Sequence, residues 1–377
     1  MKIAILGPAY PYRGGIALHT NLLYEEFSSH HHVDIINYKR LYPKIIFPGK
    51  TQYEQSETFS HIPSLRMIDF LNPLSWIKTA QSITSKNYDM VIIQFWQPFF
   101  SILLGTITRI IKSRSNKTKV ISLCHNVAPH EGSPLDKLLT KFFFKSVHGF
   151  LIQSKSVVND LLEIIPSAQY KYNPHPLYNV FGKALKSEQA RTELNIKTDQ
   201  PLVFYFGYIR KYKGLEYLIQ AYPKIHSQIG GKLLIVGEFY HDKQYYLDLI
   251  QESGVSEDII VRDQYIPDDQ VNLYFSAADI LVLPYISATQ SGITQIALSY
   301  DLPCVVTNVG GLPEVVYHGK TGFVVKPKDS KAISQAVIEY FTSCDKHKIA
   351  NNISRERQKY SWQKMKNTLI KLYREIN

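Results

Sequence analysis

Apolar runs of four to six residues alternate with longer amphipathic stretches along nearly the whole chain. The runs at 2–7, 33–38, 90–95, 120–125 and 150–154 are rich in branched and aromatic residues and alternate little, the pattern of strands covered on both faces. Helical patterns fall near 16–28, 73–86, 98–113 and 134–146. Asn72-Pro73 and Ser133-Pro134 set a capping residue just before a proline, a start signal for the second and fourth helices. The alternation halts over 166–197, which is polar and proline-bearing. It resumes with strands at 202–206, 232–237, 259–262, 279–284, 304–308 and 323–325, and helices near 214–228, 242–253, 268–277, 292–300 and 330–343. In the first of these helices Leu215, Leu218, Tyr222 and Ile225 share one face and read as core. A last helical stretch, 355–376, follows the completed second block.

Strand–helix alternation in two blocks predicts an α/β chain with two Rossmann-like, doubly wound parallel sheets facing across a cleft. The first domain is expected over 1–175, a linker over 176–198 and the second domain over 199–354, with 355–377 packing back onto the first. A length of 377 residues suits two cores. Ligands of such sheets bind beyond the carboxyl ends of the strands, so the loops there hold the candidate chemistry.

Composition narrows the partners. The chain is 45% hydrophobic and 20% charged, ordinary for a globular protein, with a formal charge of +11. That charge suits nucleic acid, anionic lipid or acidic small molecules. Nucleic acid is not expected, because no helix-turn-helix spacing, RNP signature or zinc knuckle is present. Cys124, Cys304 and Cys344 follow or end apolar runs and read as core cysteines in a reducing compartment. No secretory leader is expected, and the longest apolar stretch, 98–111, is short for a bilayer span and holds Thr106, Thr108 and Arg109. A cytoplasmic place is expected, with peripheral contact at the inner face of an anionic membrane. The motive lies in 96–119, where Phe99, Phe100, Ile110 and Ile111 adjoin Arg109, Lys112, Arg114, Lys117 and Lys119. Lys137, Lys141, Phe142, Phe143, Phe144 and Lys145 repeat the pattern. A helix with one buried and one basic face accounts equally for these residues.

The loops come next. The first strand runs into Gly7-Pro8-Ala9-Tyr10-Pro11-Tyr12-Arg13-Gly14-Gly15, which is not the tight dinucleotide turn, so a nicotinamide cofactor is not expected. Gly14 and Gly15 either expose N–H groups to an anion or sugar hydroxyl, or form a flexible loop. His125, at the end of its strand, points into the cleft or is a structural histidine. The second block opens with Gly207, then Arg210, Lys211 and Lys213, then Gly214, a loop able to set two cations on a diphosphate. Thr289, Gln290, Ser291 and Gly292 precede a helix start, an anion site by geometry. Gly310-Gly311-Leu312-Pro313-Glu314 makes another glycine-rich turn.

Together these residues resemble the family 4 glycosyltransferases, which have the GT-B fold. The resemblance rests on Gly14-Gly15, on Gly207…Lys213-Gly214, on Ala278-Asp279…Pro284, on Leu302-Pro303-Cys304-Val305-Val306 and on Gly310 to Val316, with Tyr360-Ser361-Trp362 before the last helix. It spans nearly the whole chain and is most specific in the second block. Two of its motifs are changed here. The family's Glu-x7-Glu pair falls on Ala288 and Ile296, as in a subgroup with A-T-Q-S-G there, and the arginine usual after the first glycine is Tyr208, with Arg210 as its substitute.

The resemblance implies transfer of a sugar from a nucleotide-diphosphate sugar to a glycan or lipid-linked acceptor, with retention of configuration. It assigns Arg210, Lys213 and His125 to catalysis, and Gly14, Gly15, Gly207, Thr289, Gln290, Ser291, Gly292 and Glu314 to donor binding. Arg210 and Lys213 would neutralise the leaving diphosphate, so neither metal nor other cofactor is expected. The alternatives are a GT-B-type sugar-nucleotide epimerase and a non-catalytic sugar-nucleotide-binding paralogue, the latter motivated by the missing carboxylates.

Overall fold

In a computed structural model of the chain, seven strands build the first sheet: β1 (Lys2–Leu6), β2 (His32–Arg40), β3 (Ser64–Asp69), β4 (Met90–Phe95), β5 (Lys119–Cys124), β6 (Gly149–Ile152) and β7 (Tyr170–Tyr172). Six build the second: β8 (Leu202–Phe206), β9 (Lys232–Val236), β10 (Ile259–Arg262), β11 (Ile280–Leu283), β12 (Cys304–Thr307) and β13 (Gly322–Val325). The structure describes residues 1–43, 47, 49–127, 134–196, 199–240 and 242–376. Ser133, half of one expected start signal, lies outside them. Asn72 does cap its helix, accepting from the Leu74 N–H at 3.1 Å.

Every strand pairing is parallel, in the orders β3-β2-β1-β4-β5-β6-β7 and β10-β9-β8-β11-β12-β13. Each sheet is wound outward in one direction and then in the other. The reversals fall between β1 and β4 and between β8 and β11, the places where doubly wound sheets take their ligands.

The chain divides into two units: Met1–Pro176 with Ser361–Asn377, and Leu177–Tyr360. Alternation along β1 shows how the first is filled. Ala4 and Leu6 join the core under helices Pro73–Ser85 and Ser101–Arg114, through residues such as Ala80, Leu104 and Ile107. Ile3 and Ile5 face the other way, onto Leu23 of helix Gly15–Ser28 and onto Met365, Leu369 and Leu372 of helix Trp362–Glu375. Burial on both faces is why these strands read as unbroken apolar runs.

Five elements escape the sequence pattern: β3, β7 and helices Lys155–Ile164, Ser187–Glu193 and Lys346–Glu356. β3 and β7 are the edge strands of their sheet and are partly exposed, so they lack an apolar run. The stretch read as a linker is structured: within helix Ser187–Glu193, buried Arg191 pairs with Asp279 at 2.8 Å and donates to the Ala277 carbonyl at 2.8 Å. The helix expected over 355–376 starts later, at Trp362, and an unexpected helix precedes it. Lys346–Glu356 is one helix, and Ser361 caps the next by accepting from the Lys364 N–H at 3.2 Å.

Candidate active site

The second unit gathers the cations. After β8 the chain turns at Gly207, where φ is +114°, a conformation that L side chains rarely adopt. A Cβ there would lie 2.6 Å from Ile293 Cδ1 and 3.0 Å from Lys213 Nζ. The bare glycine thus lets the Lys213 ammonium and the first turn of helix Gly292–Ser299 meet beside the end of β8. Two backbone bonds fix the rest of the loop: Ile209 N–H to Glu238 O at 2.8 Å, and Ile286 N–H to Tyr212 O at 2.7 Å. The second ties the loops after β8 and β11 together across the strand reversal.

Lys213 is buried, and burial pushes its ammonium down to about 7, with the neighbouring Arg210 guanidinium adding to the shift. Its Nζ lies 5.4 Å from the centre of the Tyr285 ring. Arg210 stacks over Tyr240 at 4.8 Å. Among the described residues no carboxylate pairs with either cation. An aromatic face partly satisfies a cation but supplies no counter-charge, so the pair is poised for an anion.

Ser291 caps helix Gly292–Ser299, its hydroxyl accepting from the Ile293 N–H at 3.3 Å. Thr289 and Gln290 are half-buried, and the Thr289 carbonyl accepts from the Gly311 N–H at 2.9 Å. The Gly310–Glu314 turn therefore buttresses the loop before the helix, and the Glu314 carbonyl accepts from the Tyr360 hydroxyl at 3.5 Å. Ile296, on a position where the resembled family has glutamate, is buried packing. Gly292 differs from expectation. A Cβ there would lie 2.8 Å from the Tyr178 ring, so the missing side chain makes room for a tyrosine.

The first unit brings a different set together. The loop holding Gly14 and Gly15 is pinned: Asn37 Nδ2 donates to Ala9 O at 3.1 Å and to Tyr10 O at 3.0 Å, and Asn21 Oδ1 accepts from the Tyr10 N–H at 3.2 Å. Gly14 precedes helix Gly15–Ser28, whose His19 is fully buried. The His19 ring stands edge-on to His125 at 4.6 Å, to His175 at 5.4 Å and to Trp362 at 4.8 Å. His125 Nε2 is 2.6 Å from Gln94 Oε1, and His19 Nε2 is 3.0 Å from Gln153 Nε2. Burial pushes His125 down to about 3 and His175 to about 4, and drives His19 well below the ordinary range. These imidazoles are neutral at physiological pH, able to hydrogen-bond but not to supply a proton there. Sequence reasoning found His125 but missed His19, His175 and the two glutamines. Only position could have found them, since Gln94, His125 and Gln153 end or follow neighbouring strands β4, β5 and β6.

Residues 186–359 match the family described as glycosyl transferases group 1. An uncharacterized glycosyltransferase of Methanocaldococcus jannaschii is 25% identical, over 99% of this chain and 98% of its own. The lipopolysaccharide 1,2-N-acetylglucosaminetransferase of Salmonella typhimurium is also 25% identical, over 68% of this chain and 66% of its own. Among solved structures, the sucrose-phosphate synthase of Thermosynechococcus elongatus superposes with a TM-score of 0.76 at 19% identity, over 100% of this chain and 99% of its own. That likeness speaks for the fold. The chain is a glycosyltransferase built of two Rossmann-like units, and residues 186–359 of the second carry the group 1 match.

Proposed function

We propose that the enzyme transfers a sugar from a nucleotide-diphosphate sugar, held by the second unit, to a glycan or lipid-linked acceptor of the cell envelope, with retention of configuration. The observation that supports this most is the Lys213–Arg210 pair, one member buried, without a carboxylate, at the reversal between β8 and β11. As the glycosidic bond breaks, its electron pair goes to the diphosphate. Fixed cations aimed there stabilise the charge that develops, and so do the N–H groups that open helix Gly292–Ser299. Gly207 lets the Lys213 ammonium come close to that helix start. Thr289 and Gln290 serve as neutral partners for sugar hydroxyls, Glu314 completes the donor site, and Gly14 and Gly15 offer backbone N–H groups. His125 contributes a neutral hydrogen-bonding imidazole. The envelope assignment leans on the lipopolysaccharide enzyme and on a putative teichuronic acid glycosyltransferase of Bacillus subtilis, 30% identical over 42% of this chain.

The test is a panel of nucleotide-diphosphate sugars offered to purified protein, read by release of nucleoside diphosphate and by the anomeric configuration of the product. One donor should turn over, with EDTA leaving the rate unchanged, since two cations stand in for a metal. Binding without turnover across donors and acceptors would favour the non-catalytic reading. Loss of activity with EDTA and recovery with Mg²⁺ would refute the role given to the cations.

A further inference from the structure

Three neighbouring helices of the first unit expose apolar side chains in outward stripes. Helix Pro73–Ser85 packs on Ser101–Arg114, and that helix on Pro134–Phe144. The first presents Leu74 (66% exposed) and Ile77. The second, with the turn Pro98–Phe100 that leads into it, presents Phe99 and Ile102 (50%). The third presents Leu138 (65%) and Phe142. Each pair is three or four residues apart, so each forms one outward ridge. Phe142 is held in place: Gly105 leaves room for its ring, Arg109 lies 3.7 Å over that ring, and Arg109 also donates to the Phe142 carbonyl. Phe100, Ile111, Phe143 and Phe144, which the sequence groups with the basic residues, are core instead.

Charge chooses the partner. The three helices carry Lys78, Arg109, Lys112, Arg114, Lys137 and Lys141 against the single acid Asp136. Lys137 is taken by Glu163, but Lys78 and Lys141 stand exposed beside the apolar ridges. Leucine and phenylalanine that cost free energy in water, set among lysines, match a bilayer with anionic headgroups. No helix among the described residues is long and apolar enough to cross a membrane, so contact here would be in the interface plane. We propose that the outer face of these three helices docks on an anionic lipid bilayer, through Leu74, Ile77, Phe99, Ile102, Leu138 and Phe142 with a lysine rim.

The experiment is co-sedimentation of the full chain with vesicles of roughly equimolar phosphatidylglycerol and phosphatidylcholine, beside phosphatidylcholine alone, at about 0.05 M and about 0.5 M salt. The parent should bind the anionic vesicles at low salt, at least about tenfold more tightly than the neutral ones, and be released at high salt. Leu74→Asp with Leu138→Asp should weaken binding by about tenfold or more, and Lys78→Glu and Lys141→Glu by roughly fivefold each. Lys224→Glu, an exposed cation of the second unit, should change nothing. The other four apolar positions stay intact in the double variant, and circular dichroism checks that it folds. Failure of the parent to bind would overturn the proposal. So would unchanged binding by the folded Leu74/Leu138 variant, an equal loss in Lys224→Glu, or self-association through this face without vesicle binding.

Discussion

Keeping an ammonium from water with no carboxylate beside it costs the folded state on the order of a few kcal/mol, and Lys213 carries that cost. Its folded value, about 7, lies below its ordinary 10.5. Between those values the unfolded chain holds a proton that the folded chain lacks. The penalty is therefore complete below about pH 7 and fades as pH rises toward 10.5. Lys213→Met should accordingly melt higher than the parent at pH 6, with the gap closing by pH 10, as scanning calorimetry would show. The same variant should lose about 100- to 1000-fold in turnover. Nucleoside-diphosphate affinity of the parent should fall as pH climbs above 7, because the free protein must take up a proton to bind; in Lys213→Met titration calorimetry should find that dependence gone. His125 cannot supply this limb, since burial keeps it neutral far below that range. At this scale the sequence was a fair guide to the cations, bracketed as they are by Gly207 and Gly214. The depressed ammonium was invisible, because it comes from packing under Tyr285 rather than from any neighbour in the chain.

Elements were legible in proportion to their burial. The central strands announce themselves because both faces are covered, whereas β3 and helix Ser187–Glu193 mix polar and apolar positions and left no period to read. Helix Gly292–Ser299 was foreseen to the residue at its start, yet the use of its first glycine was not. Tyr178 lies more than a hundred positions earlier, and nothing local signals that its ring sits against Gly292. Gly292→Val should therefore cost about 1–3 kcal/mol in stability by overpacking. Adding Tyr178→Ala should recover part of that loss, a coupling that a double-mutant cycle in urea would measure. If the two changes simply add, Tyr178 is not what the glycine accommodates. A loss of nucleotide affinity in Gly292→Val alone is thus no proof of phosphate contact, and Lys213 is the cleaner probe.

At the scale of the molecule, the last helix belongs to the first unit. Met365, Leu369 and Leu372 are fully buried against β1, β4 and β5 residues, and Lys366 pairs with Glu26 at 2.5 Å. Leu369→Ala should cost about 2–5 kcal/mol, read from the unfolding transition of the first unit. Residues Met1–Pro176 expressed without this helix should fail to give a cooperative transition, while Leu177–Tyr360 expressed alone should give one. The first fragment leaves one face of its sheet bare, whereas the core of the second lies wholly within 177–360.

The second unit is, in chain order, an insertion within the first. Its two ends meet: the Leu177 N–H donates to the Tyr360 carbonyl at 3.0 Å. Closing so long a loop would ordinarily carry an entropic cost, but a second unit that has already folded brings the ends together in advance. On a ribosome this sets an order of events. The first sheet emerges early and waits with one face open, the insertion completes itself, and only then does Trp362–Glu375 arrive beside its partner strands. A messenger broken between Tyr360 and that helix yields a protein with a finished second unit and an exposed apolar sheet face in the first, the kind of surface that chaperones and proteases recognise. The nesting of one unit inside the other thus makes completion of the first sheet the last event of synthesis.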